Sequence, residues 1–302
     1  MRVDLNFGKG SVTVDLSDDW EVTVVRKPPM PVEPDASLAV RRALQSPVGC
    51  VPLLDLARGR SSVCILICDI TRPVPNGVIL PILVRELIGA GVDPKRITVL
   101  VATGLHRPNE GKELEELVGD SWVLKTVNVV NHFATRDEDH VQVGITKSGT
   151  VVRLDRRFVN ADLKIATGLV EPHFFAGYSG GRKVIAPGIS HAETITTLHN
   201  ADFLEHPKTA NCVLEGNRLH AEQLEIVSMV GGAYAVNTVI DEQRKMSFVN
   251  FGEIILSHLD AVTVVRRFAE VPVLGQFPTV VTSCAGYPLD QTYVLLHYLM
   301  IQ

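Results

Sequence analysis

The sequence predicts an α/β fold, Rossmann-like, with a doubly wound and mainly parallel sheet and an antiparallel flank at its N-terminus. Three observations predict it. Apolar runs of strand length end in polar residues, as strands buried on both faces do. These runs alternate with segments of helical character, which implies parallel pairing through right-handed crossovers. Only the opening residues alternate with period two, the mark of half-exposed strands.

Taken in order, "MRVDLNFG", "SVTVDL" and "WEVTVVR" (20–26) read as short strands separated by Gly-Lys-Gly and Ser-Asp-Asp turns. The Pro-rich linker "KPPMPVEPD" excludes helix and central strand. Asp35 is placed to cap the helix "ASLAVRRALQS". "SSVCILICDI" (61–70) is the first buried strand. "NGVILPILVRELIGAGV" (76–92) is a helix whose first turns Pro81 should perturb. "RITVLVATG" (96–104) is a strand, "NEGKELEELVG" (109–119) a charged helix, "WVLKTVNVVN" (122–131) a third strand and "DLKIATGLV" (162–170) a fourth. "HVQVGITKSGTVVRLDRRF" reads as a hairpin around Lys147-Ser148-Gly149. Helices at about 190–200 and 215–230 follow, then strands "GAYAVNTVI" and "KMSFVNF", a helix from about 252 to 268 and a last short strand "TVVTSCAG". The doubly wound region spans 48–270.

Composition excludes several classes. Of the 302 residues, 46% are hydrophobic and 21% charged, ordinary for a globular protein. The net charge is −5 and basic residues occur only as scattered pairs, which argues against a nucleic-acid partner. The five cysteines (50, 64, 68, 212, 284) form no CxxC and no disulfide framework. The first residues do not read as a signal peptide, and no apolar run approaches the roughly 20 residues of a membrane span. A cytoplasmic location without a membrane partner is expected.

Three strand ends deliver polar groups to one rim, where open parallel sheets bind ligands. The first carries Asp69-Ile70-Thr71-Arg72-Pro73, the second Thr103-Gly104-Leu105-His106-Arg107-Pro108, the third Glu171-Pro172-His173. A small-residue turn follows, Gly177-Tyr178-Ser179-Gly180-Gly181, with Lys183 behind it. "GYSGGRKV" is not a P-loop, because Val184 stands where a magnesium-binding hydroxyl belongs. Ser179, Gly180 and Gly181 can nevertheless present amides to a phosphate. Each side chain also has a plainer use: His106 as a turn cap, His173 as a satisfied buried histidine, Arg72 paired with Asp69, Lys183 solvated, and His199 at a helix end. "RDEDH" (136–140) reads as a solvated turn, and histidines 132, 140, 191, 206, 220, 258 and 297 lack ligand spacing.

Two histidines near one substrate carbon suit paired proton transfer, since imidazole titrates near operating pH. A base on each face of a stereocentre is the minimal racemase or epimerase. An arginine opposite would hold a carboxylate with two hydrogen bonds. The α-hydrogen of a hydroxy acid is not acidic, so such a substrate calls for a hydride-accepting cofactor, and the lysine is a tether for it. Two other readings stay open: a non-catalytic nucleotide- or phosphate-binding domain, and a pyridoxal-phosphate Schiff base on Lys183.

"DITRP" (69–73), "TGLHRP" (103–108), "EPHFFAGYSGGRKVIAPGIS" (171–190), "LHN" (198–200) and "GYPLD" (286–290) together resemble the lactate racemase family, over residues 1 to about 291. The resemblance implies a 2-hydroxy acid racemase or epimerase that transfers hydride to a nickel-pincer nucleotide through a transient 2-keto acid. It implies that Lys183 holds the pyridinium-derived mononucleotide through a thioamide and that His199 ligates nickel beside two sulfurs and a carbon of the cofactor. His106 and His173 would be the acid/base pair and Arg72 the substrate's carboxylate anchor. Asp69, Thr71, Ser179, Gly180 and Gly181 would contact the nucleotide, and cofactor-maturation proteins would be partners. Members continue past "GYPLD" with a helix bearing a Tyr-Gln pair, a later Lys and a second domain, whereas this chain reads "QTYVLLHYLMIQ" and stops. Residues 1–270 are thus expected as the N-terminal cofactor-binding domain and 271–302 as the start of a truncated second domain, the rest of the C-terminal domain missing.

Overall fold

The structure is a computed structural model that describes residues 1–283 and Gly286. Cys284, most of the "GYPLD" motif and the segment "QTYVLLHYLMIQ" lie outside the described residues. The chain divides into two compact units, Pro29–Ala269 and a second formed by Met1–Pro28 with the chain from Glu270 on.

In the smaller unit, β1 (Arg2–Phe7) and β2 (Gly10–Asp15) form an antiparallel hairpin that pairs Arg2 with Asp15 and Phe7 with Gly10. The expected strand at 20–26 does not form. Val24 and Val25 are 44% and 52% exposed, so alternation there finds no apolar face to bury. No strand forms over 279–283 either.

The larger unit begins with α1 (Ala36–Gln45), capped by Asp35, whose carboxylate accepts from the Leu38 amide. α2 (Leu53–Ala57), β3 (Val63–Cys68), α3 (Asn76–Gly89) and β4 (Ile97–Ala102) follow. α3 runs through Pro81 without breaking. Next come α4 (Lys112–Val118), α5 (Ser121–Thr126), β5 (Asn128–Asn131), and the hairpin of β6 (His140–Ile145) and β7 (Val151–Asp155). α6 (Arg156–Val159), β8 (Leu163–Leu169), the short pair β9 (Pro172–His173) and β10 (Gly177–Tyr178), and the single turn α7 (Arg182–Ile185) lead to α8 (Ala192–Leu198). α9 (Ala201–Leu204), α10 (Arg218–Met229), β11 (Tyr234–Ile240), β12 (Met246–Glu253) and α11 (Ile254–Ala269) complete the unit.

Six strands form one mixed sheet in the order β12-β11-β8-β3-β4-β5. All neighbours are parallel except β11 and β12. The chain leaves central β3 toward β4 and β5, then returns to its other side with β8 and β11. That reversal opens a crevice at the carboxyl ends of β3 and β8, the place where such sheets bind ligands. Both faces are covered. Val63, Ile65 and Ile67 join the core formed with α1, α2 and α3, while Cys64 and Leu66 join Phe158, Ile185 and Ile226 on the opposite face. No helix among the described residues is long and apolar enough to cross a membrane.

The strand expected at 122–131 is corrected. Its first half is α5, because the Asp120 carboxylate accepts from the Val123 amide at 2.9 Å and nucleates a helix. Trp122 packs under the Arg85 guanidinium, 4.4 Å from the ring centre. Only 128–131 extends. Removing the cap with Asp120→Ala should destabilise the protein by about 1 kcal/mol in urea unfolding; an unchanged midpoint would contradict the capping role.

Candidate functional site

β3 ends in a tight turn in which the Arg72 amide bonds to the Asp69 carbonyl at 3.1 Å. The Asp69 carboxylate is buried. Its Oδ1 accepts from the Thr71 amide at 3.2 Å and hydroxyl at 2.6 Å, and its Oδ2 lies 2.6 Å from His106 Nδ1. Burial pushes this carboxyl up, but the hydrogen bond and charge of His106, with Thr71 and Arg72, hold it below its usual range. A carboxylate only accepts, so His106 carries hydrogen on Nδ1 and, when neutral, a lone pair on Nε2. The loop bearing His106 is fixed by the Gly104 amide, which bonds to the Gly188 carbonyl at 2.9 Å.

β8 delivers the next group by doubling back. The Ser179 hydroxyl donates to the Leu169 carbonyl at 2.7 Å and accepts from the Glu171 amide at 3.1 Å. The Ser179 amide donates to the Glu171 carbonyl at 2.9 Å. Inside this closed loop β9 pairs with β10, His173 opposite Gly177. Gly177 has φ +75°, and a Cβ there would lie 2.2 Å from the Val213 carbonyl oxygen, so glycine is required. The His173 ring is buried, stacked on Phe174 at 4.8 Å and edge-on to Phe175 at 4.6 Å. Its Nδ1 accepts long bonds from the Phe175 and Ala176 amides, 3.4 and 3.3 Å, which puts its hydrogen on Nε2. Burial, then the cations Lys183 and Arg72, drive its pKa well below the ordinary value. His173 is therefore neutral at physiological pH.

Sequence reasoning offered the Ser179 amide to a phosphate; the structure commits that amide and the hydroxyl to Glu171 and Leu169 instead. The Gly180 and Gly181 amides make no hydrogen bond among the described residues. Lys183 follows on α7, and its ammonium makes no hydrogen bond or ion pair among the described residues. Burial first, then Arg72, lowers its pKa from 10.5 to about 8. Arg72 pairs with Glu171, Nη1 to Oε1 at 3.3 Å, rather than with Asp69. Cys68 is also nearby; burial, then Asp69, pushes its thiol up to about 11, so it is no nucleophile at neutral pH.

His199 sits at the C-terminus of α8, where its Nδ1 lies 2.8 Å from the Ile195 carbonyl. That bond needs hydrogen on Nδ1 and leaves Nε2 bare. Burial lowers its pKa, with Lys183 adding to the effect and the Ile195 bond opposing it. Phe175 joins the two imidazoles, its ring centre 5.1 Å from that of His199.

The structure thus gathers Asp69, Arg72, His106, His173, Lys183 and His199 at one rim. Lys183 is felt by His173 and His199, and Arg72 by Lys183, Asp69 and His173. Thr71 serves Asp69. Glu171 is among the polar groups expected at the rim, but its pairing with Arg72 is not foreseen, because nothing local says which arginine it will meet. In a second histidine group, His132 and His140 have Nε2 atoms 3.0 Å apart with His191 beside His140, and the Thr103 hydroxyl donates to the His132 carbonyl at 2.8 Å. This group was not visible as spacing. Among the described residues no three His, Cys, Asp or Glu side chains are placed to hold a metal ion.

The profile of the lactate racemase N-terminal domain matches residues 7–211. The lactate racemase of Lactiplantibacillus plantarum is 33% identical over 293 residues, 96% of this chain and 68% of the relative. The chain belongs to the lactate racemase family. The lactate racemase of Thermoanaerobacterium thermosaccharolyticum is likewise 33% identical, over 292 residues. The solved apoprotein structure of that racemase superposes with a TM-score of 0.85 at 32% identity, covering 96% of this chain and 68% of its own. A Thermotoga maritima protein shares the fold at a TM-score of 0.65 and 22% identity.

The geometry around Lys183 predicts its reactivity. Below pH 8 the side chain is an ammonium, and above it a nucleophilic amine. Acylation of Lys183 by acetic anhydride, followed by peptide mass spectrometry, should rise with a midpoint near pH 8. A midpoint like that of solvent-exposed lysines would contradict the described burial.

Proposed function

We propose that this protein racemises or epimerises a small, lactate-like 2-hydroxy acid, with a nickel-pincer nucleotide held on Lys183. One observation carries the reading: an uncommitted lysine is felt by His173 and His199 and itself feels Asp69, the carboxylate that holds His106, and the His106 and His173 rings are opposite tautomers. His106 offers a lone pair at Nε2, and His173 a hydrogen at Nε2.

The residues fit the group. Lys183, with its pKa near 8, has the amine character that a thioamide bond needs. The bare Nε2 of His199, its other nitrogen tied to a backbone carbonyl, is the form of imidazole that binds metal. Gly180 and Gly181 offer amides to the phosphate. When bound, the nucleotide supplies an acceptor for the α-hydrogen, which leaves carbon with its electron pair.

The chain's own groups do the rest. Arg72 binds the substrate carboxylate in a two-pronged bond, taking it in exchange for Glu171. His106 takes the hydroxyl proton at Nε2, and its imidazolium is stabilised by the buried Asp69 carboxylate. His173 holds the substrate oxygen from the other side with a hydrogen bond from its Nε2–H, which it keeps, and the proton taken by His106 goes back to that oxygen when the hydrogen returns to carbon. For the antipode the histidines exchange duties. His173 must then move its hydrogen to Nδ1 and give up the amides of Phe175 and Ala176. The phenylalanines beside it keep water from the reacting centre. The same reading implies dependence on cofactor-maturation proteins and a cytoplasmic location.

In protein matured with the cofactor, His106→Ala and His173→Ala should each lower lactate racemisation by roughly 100-fold or more while nickel content is retained. Asp69→Asn should lower it through His106 alone. Normal racemisation by either histidine variant would disprove the acid/base assignment. A nickel-free protein that nonetheless gains thermal stability from a nucleotide would favour the non-catalytic binding domain.

A further inference from the structure

Arg182, next to the tether, is unused by the chemistry above. It is 1% exposed, so it is not the solvated partner of Lys183 that adjacency suggests. Its Nη2 donates to the Ala176 carbonyl at 2.9 Å and the Tyr178 carbonyl at 3.2 Å, and its Nη1 lies 2.8 Å from His258 Nε2. Its Nε is buried without a hydrogen-bond partner. No carboxylate pairs with it among the described residues. Burial lowers its pKa to about 9, which still leaves it charged at neutral pH. His258 cannot neutralise it, since burial and Arg182 itself keep that imidazole uncharged. A buried cation without a counter-charge is costly to keep, and its field is felt at His173 and Lys183.

Lys183, one residue on, is also without an ion pair among the described residues. Two consecutive unneutralised cations thus underlie the turn whose Gly180 and Gly181 amides are uncommitted. We infer that Arg182 is a positioning residue for the cofactor: from beneath, it fixes the backbone of 176–181 and supplies the positive charge against which the nucleotide's phosphate is held. This rests on the nucleotide reading above. Arg182 does not touch the ligand; it acts through the carbonyls it holds and through its charge.

The test uses the protein without cofactor and two commercial probes, nicotinamide mononucleotide and nicotinamide riboside, which differ by the phosphate. Calorimetric titration of the wild type should show the mononucleotide bound at least about tenfold more tightly. Arg182→Gln keeps donors for the carbonyls and loses the charge. It should cut that preference by about fivefold or more while riboside affinity is unchanged. Arg182→Lys keeps the charge and should keep the preference within about threefold, which also serves if the glutamine variant does not fold. A merely structural arginine would weaken both probes alike. A preference retained in Arg182→Gln, or lost in a folded Arg182→Lys, overturns the inference alone. No preference in the wild type overturns the nucleotide reading and the inference together.

Discussion

Everything at this rim depends on how the chain reverses after β8. One hydroxyl, that of Ser179, bridges the Leu169 carbonyl and the Glu171 amide, and the Ser179 amide returns a bond to Glu171. This clamp fixes both ends of a loop that holds His173 and aims Glu171 at Arg72. It also sets where Gly180, Gly181 and Lys183 emerge. The loop tolerates no side chain at Gly177 or Gly180, where a Cβ would lie 2.2 Å from Val213 O and 2.7 Å from Val170 Cγ2. A local clamp, with Val213 packed against Gly177, therefore places Glu171, His173 and Lys183 at once.

Charge is the second constraint. Arg72, Arg182 and Lys183 crowd this rim, and the carboxylates that meet them among the described residues, Asp69 and Glu171, are both engaged. Burial, with the excess positive charge adding to it, depresses Lys183 and keeps His173 neutral. In water such shifts would be screened away; they persist because burial is the leading cause for both groups. A site built this way favours anions.

Much of this was legible in the sequence. Continuous apolar runs at 61–68, 96–102 and 162–170 gave parallel strands because both faces of the sheet are covered. The polar tails of those runs gave the rim, since strand ends face a common edge. Segment 122–131 misled because Trp122 and Val123 are strand formers, while the deciding signal was a single cap at Asp120. Residues 20–26 misled because alternation shows amphipathicity, not the presence of a face to cover it. The Glu171–Arg72 pair, the burial of Arg182 and the His132–His140 contact were illegible for one reason: each depends on a long-range partner, and burial of an arginine leaves no local mark. The hydrogen positions on His106, His173 and His199 likewise needed the identity of the group opposite each ring.

The central claim is convergence on one lysine, and peptide-mapped mass spectrometry with metal analysis addresses it most directly. The protein would be produced together with enzymes that make the cofactor. The expected result is a single adduct on Lys183 with about one nickel per chain, both lost in Lys183→Ala; the adduct alone should persist in His199→Ala. An adduct on another lysine, or nickel retained in the absence of any Lys183 modification, would contradict it.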